Sequence, residues 1–141
     1  MATRVTSRRA LTSREVRSTR AVVPIEVVPA QMRNRKFSCG VDVALAAVGR
    51  RWRAVVLERL AEQPTGFAAL RRRIPGISEK MLTAALADLR AAGFVQRTEL
   101  RQRPLEVRYV LTDDGGKMSA ALAVLRDWGV AHARQHGLTI G

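Results

Sequence analysis

Ser78, Lys80 and Thr83 place two hydroxyls and an ammonium within two helical turns of one another. These groups suit the edges of base pairs and phosphate oxygens. Lysine donates to guanine O6 or N7 or to a phosphate, and serine or threonine reaches either. Just before them stand Arg71, Arg72 and Arg73, three cations at the end of a short helical segment. The negative end of that helix is one partner for them, and a nucleic-acid backbone is another. Arg101 and Arg103 flank the tip of a hairpin further on. They would fit a minor groove or its walls, or else form a solvated turn. Cys39 offers chemistry of a different kind. As the sole cysteine it excludes an intramolecular disulfide and a multi-cysteine metal site. It precedes a helix and follows Arg35 and Lys36, surroundings that stabilise a thiolate and make it reactive; a half-buried thiol with no redox duty is the other reading. One cysteine per chain leaves an inter-subunit Cys39–Cys39 bond or an adduct with a small thiol or electrophile as its switches. His132 and His136 have the spacing of metal ligands on a helix, but no carboxylate or cysteine joins them, so no metal is expected. The chain also lacks a glycine-rich phosphate loop, a nucleophile–base set and paired carboxylates suited to a cleft. No cofactor is expected, and no enzymatic activity.

The residues 78–93 are the element that must position the first group. Ser78 is a good N-cap behind the Pro75-Gly76 turn, and Gly93 stands where a helix stops. With Leu82 pointing inward, Ser78, Ala85, Leu86, Leu89 and Gly93 fall within roughly 60° of it at 3.6 residues per turn. The opposite face carries Lys80, Thr83, Ala84, Ala87 and Ala91. A helix facing only water is normally lined with long charged side chains. This one is short-sided, with polar groups near its N-terminus, which suits insertion into a groove.

The remaining periodicity predicts helices over residues 41–48, 52–61 and 67–74, the last with Phe67, Leu70 and Ile74 inward. After Gly93 the period falls from 3.6 to 2. Residues 94–100 and 105–111 read as two strands joined by an Arg101-Gln102-Arg103-Pro104 tip. Such a hairpin is marginal alone and must pack on the helices. Thr112-Asp113-Asp114 then caps a helix running to about His132. Its stripe of Met118, Ala121, Leu122, Leu125, Trp128 and Gly129 exceeds what a small domain needs to cover its own end. The surplus, together with Val41 and Leu45, predicts a homodimer across a two-fold axis. The fold class expected is mainly α with a two-stranded β-hairpin wing: a winged helix-turn-helix dimerising through terminal helices.

Composition points to the same partners. The 141 residues carry a net charge of +13, a field that favours DNA, RNA or an acidic membrane face. No run approaches the about 20 apolar residues that span a bilayer, and no signal-peptide core follows the basic start, so the address expected is cytoplasmic, away from membranes. Residues 1–37 hold nine basic residues against Glu15 and Glu26 and keep no period, so they read as a flexible basic extension to a domain at 38–136. An organelle transit peptide, or a true start at Met32, are alternatives. Deleting residues 1–31 should shift DNA affinity through counterion release without changing sequence preference.

The runs GRRW (residues 49–52), GFAALRRRIPGISEKMLT (66–83), LADLRAAGFVQR (86–97), YVLTDDG (109–115) and RDWG (126–129), with Cys39 ahead of them, are similar to the HxlR family of bacterial transcriptional regulators. The resemblance spans about two-thirds of the chain, and the PGIS-K-MLT and Y-x-LT-x-x-G runs are its specific part. It implies a dimer that binds double-stranded operator DNA and answers to an oxidant, electrophile or small-molecule effector. On that pattern Ser78, Lys80 and Thr83 map to the start of the recognition helix, Arg101 and Arg103 to the wing, and Cys39 to a redox-sensing cysteine. Arg50-Arg51 and the acidic LTDDGG run depart from the family's usual residues. A winged-helix module that binds protein or RNA is the competing reading. An acidic or large apolar outer face on the 78–93 helix would favour it.

Overall fold

The computed structural model describes residues 30–141, and most of the expected flexible basic extension, residues 1–29, lies outside them, as does its transit-peptide alternative. Six helices and one hairpin follow in the order α1 (Ala30–Arg33), α2 (Gly40–Val48), α3 (Arg51–Glu62), α4 (Phe67–Arg72), α5 (Glu79–Ala91), β1 (Val95–Gln102), β2 (Leu105–Leu111) and α6 (Asp113–His136). The single turn α1 lies within the stretch expected to be without structure.

The core forms where the inward stripes of α3, α4 and α5 meet. Val56, Leu57, Leu60, Leu70, Ile74, Leu82, Leu86 and Leu89 are buried there, with Phe94 and Val95 closing one side. The inward leucines of α5 are those its period selects. Ser78 is the exception, since it is exposed rather than inward. Its Oγ instead accepts a hydrogen bond from the Met81 N–H at 3.1 Å, the cap its residue type favours. The helix stops before Gly93, whose φ of +79° suits a residue without a side chain.

β1 and β2 pair antiparallel from Val95↔Leu111 to Gln102↔Leu105, with an irregularity between Glu99 and Arg101. The expected four-residue tip is therefore smaller. Arg101 and Gln102 are strand residues opposite Glu106 and Leu105, and only Arg103-Pro104 turns the chain, through a cis peptide. Toward that tip the alternation fails: Leu100 falls at the irregularity, and Leu100 and Leu105 are both exposed. At its base the hairpin is held from two sides. Thr65 and Tyr109 exchange backbone hydrogen bonds at 3.2 and 2.9 Å, giving β2 a second neighbour beside the α3–α4 turn.

On the other side Thr112 joins the hairpin to α6. Its N–H donates to the Phe94 carbonyl at 3.0 Å, its hydroxyl donates to the Gly93 carbonyl at 2.5 Å, and the same oxygen accepts from the Gly115 N–H at 3.0 Å. Gly115 passes so close beneath this joint that a Cβ there would lie 2.0 Å from the Phe94 oxygen. Gly115→Ala is therefore expected to cost about 1–3 kcal/mol, the range for overfilling a packed site. Urea unfolding would measure this as a lower midpoint with unchanged slope.

α6 runs to His136, one turn beyond the expected end, and Gly137 closes it with φ +64°. Its apolar stripe divides between two tasks. Met118 and Leu122 pack against the chain's own core, while Val124, Leu125 and Trp128 stand exposed, Trp128 at 62%. On α2, Val41 and Leu45 are exposed too, and Val48 is the buried residue that anchors the helix. Among the described residues no helix is long and apolar enough to cross a membrane.

Candidate nucleic-acid interface

Because the leucines of α5 are buried, its opposite face is presented outward. Lys80, Thr83, Ala84, Ala87 and Ala91 are all exposed. Among the described residues Lys80 has no carboxylate partner, and Thr83 turns its hydroxyl back to the Glu79 carbonyl at 2.8 Å, leaving oxygen lone pairs outward. The helix therefore offers an ammonium and a hydroxyl near its N-terminus and a smooth flank of alanine methyls beyond them.

The three arginines after Leu70 diverge. Arg72 is exposed and unpaired among the described residues. Arg71 reaches across the helix-turn-helix turn to Glu79, with Nη1 3.6 Å from Oε2. Arg73 departs from the expectation of a phosphate contact. It is turned toward α3, donating to Glu62 and, at 3.1 Å, to the Thr65 hydroxyl, while its own carbonyl accepts from Arg59 Nε at 3.3 Å. Its charge is thereby committed to locking α4 against α3. A run of three cations does not reveal which of them turns inward, since the sequence gives no sign of the Glu62 carboxylate waiting there.

Between the outer flank of α5 and β1 lies an open groove of about 840 Å³ floored by Ala87, Ala91 and Val95. Arg90 and Arg97 line it, and neither was singled out from the sequence. Arg97 donates to Glu99 at 2.7 Å, and that hydrogen bond raises its guanidinium pKa above the ordinary value. At the far end of the wing Arg103 is exposed without a carboxylate partner among the described residues, and Arg101 lies 3.8 Å from Glu106. Arg90 and Arg97 thus border the apolar strip, with Glu99 beside Arg97 in the same lining, and the two cations suit phosphates at the edges of a groove of bases.

The second unforeseen group lies behind the face. Arg53 on α3 is 8% exposed and donates from Nε and Nη2 to Asp88 Oδ2 of α5 at 3.1 and 2.6 Å. Asp88 stands 35 residues away in sequence, so no local pattern announces the pair.

Cys39 is exposed and occupies the N-cap position of α2 without a side-chain cap bond. Arg35, expected beside its sulfur, is instead drawn to Asp42 at 3.1 Å and stacks over Phe37. His132 lies between Trp128 and His136, with ring centroids 4.7 and 4.3 Å away. Among the described residues no cluster of three or more histidine, cysteine or acidic side chains could hold a metal.

Comparison with known proteins places this geometry. The family model for HxlR-like helix-turn-helix proteins matches residues 47–137. The chain is 38% identical to the HTH-type transcriptional regulator YkvN of Bacillus subtilis, covering 72% of this chain and 86% of that protein. Among solved structures it resembles the reduced form of the transcriptional regulator YodB from B. subtilis (31% identity, TM-score 0.58, covering 64% and 89% of the two chains). It also resembles the redox regulator HypR in its oxidised form (30% identity, TM-score 0.62, covering 66% and 96%). The winged helix, the outward face of α5 and these matches together make the chain a DNA-binding transcription regulator and not an enzyme; it belongs to the HxlR-like helix-turn-helix family.

Proposed function

We propose that the chain acts in the cytoplasm as a homodimeric, sequence-specific repressor, with residues 38–136 as its DNA-binding domain and Cys39 as a sensor of oxidants or electrophiles. The observation that carries the DNA reading is the exposed, short-sided flank of α5 with Lys80 and Thr83 at its N-terminal end. Ser78, Lys80 and Thr83 would approach base edges, Arg71 and Arg72 the backbone beside the turn, and Arg101 and Arg103 the neighbouring minor groove. Support for the dimer comes from the apolar side chains left open on the terminal helices: Val41, Leu45, Leu125 and Trp128. Met118 and Leu122 would extend that interface from the core side. Repression would follow from an operator occupied by the pair. The sensor role draws on the exposure of Cys39 at a helix N-terminus and on the likeness to two regulators, one solved in a reduced and one in an oxidised form.

The test is selection of duplexes from a random pool, followed by gel shift against excess unrelated DNA at physiological salt, with and without oxidant. A recovered consensus that survives competition, and whose binding changes on oxidation in wild type but not in Cys39→Ser, is the expected outcome. Binding lost equally to any competitor would reduce the protein to a general polyanion binder. Within the same assay Arg72→Ala is expected to weaken all duplexes alike and to lower the slope of log affinity against log salt by about one.

A further inference from the structure

Among the described residues Arg53 is the one buried cation, and its bonds run in three directions. Its backbone belongs to α3. Nε and Nη2 fork onto Asp88 Oδ2 in the third turn of α5, and Nη1 donates to the Ala47 carbonyl at the end of α2, 3.2 Å away. A guanidinium is suited to this because its donors are fixed in one plane, so satisfying two partners at once fixes where each lies relative to the other. α2 has little else to hold it. Val48 is its buried residue, Ala47 is partly packed, and Val41, Val43 and Leu45 are exposed. The helix capped by Cys39 is thus fastened at its C-terminal end, by Ala47 and Val48 and by the same cation that bonds Asp88 of α5.

We infer that Arg53 is a positioning residue that sets the placement of the recognition helix α5 by the placement of α2. The inference rests on the DNA-binding reading above and adds a residue that touches no DNA. It couples α2 to α5: a displacement of the Ala47 carbonyl is felt at Asp88 through one guanidinium, in addition to the direct packing of α3 on α5. Asp88 lies on the side of α5 that meets Arg53 of α3, on the same helix as Lys80, Thr83 and Ala87.

The decisive variant is Arg53→Met combined with Asp88→Leu. Arg53 is buried while the Asp88 carboxylate is half exposed, so replacing both by apolar side chains strands no buried charge, and the thermal midpoint separates lost positioning from lost fold. The expected result is a thermal midpoint close to wild type, unchanged affinity for random duplex, and discrimination between the wild-type-selected duplex and random DNA reduced by about tenfold or more. Wild-type discrimination in a folded double variant would overturn the inference. Should the double variant fail to fold, Asp88→Ala serves, since its carboxylate is half exposed and Arg53 keeps its bond to Ala47. The same loss of discrimination is expected there, and its absence would count equally against the role. A wild type that selects no consensus would defeat the DNA reading instead. The placement of Arg53 would then be judged on the free protein, where loss of the pair should speed amide exchange in the last turn of α2 and the third turn of α5 together. Independent responses of the two segments would refute it.

Discussion

Ala87→Glu is expected to lower affinity for the selected duplex by about a hundredfold or more while leaving the fold intact. The position is on the exposed flank of α5, so the change should alter stability by no more than about 0.5 kcal/mol. The effect on binding has two sources. A long side chain would stand where methyl groups otherwise allow the helix to seat, and a carboxylate would face phosphate walls, a like-charge contact worth several kcal/mol. A gel shift gives the affinity, and circular dichroism on the same sample confirms the helix content. Random duplex should suffer as well, because the obstruction does not depend on sequence. Near-wild-type binding by this variant would mean that α5 does not lie against DNA.

The second large effect concerns stability rather than binding. Leu82 is fully buried directly beneath the Lys80–Thr83 end of α5, in contact with the α3–α4 core. Leu82→Ala removes its side chain and leaves a cavity, and is expected to cost about 2–5 kcal/mol. For a domain of this size each kcal/mol lowers the thermal midpoint by roughly 4–8 °C, so calorimetry should register a fall beyond about 8 °C. The pairing of these two substitutions is informative. They lie on opposite faces of one helix, and the first should disturb binding alone, while the second acts through the fold.

α5 was legible because everything that defines it is local. Its cap is Ser78, its stop is Gly93, and its inward leucines recur at the helical period, so both faces follow from spacing. The same local logic located α3 and the hairpin base. It failed where a residue's role is set by something distant. Arg53 and Asp88 meet across 35 residues, and Arg73 is turned toward Glu62 and Thr65. Near the wing tip the period of two persists in the sequence, but Leu100 falls at the irregularity, and Leu100 and Leu105 are both exposed. On α6 the apolar stripe was correctly seen as one face, yet spacing cannot say that Met118 and Leu122 are taken by the core while Leu125 and Trp128 are left over. Arg90 and Arg97 became candidates only when the α5–β1 groove brought them to one strip.

The most direct measurement attaches a short photoreactive group to a single cysteine in a Cys39→Ser background, using Lys80→Cys on α5, where the label replaces a side chain of similar length, and Val124→Cys on α6. Irradiation with the selected duplex should join position 80 to DNA in high yield and leave position 124, exposed on α6, unlinked. DNA joined at 124 and absent from 80 would contradict the assignment of α5 as the surface that meets the double helix.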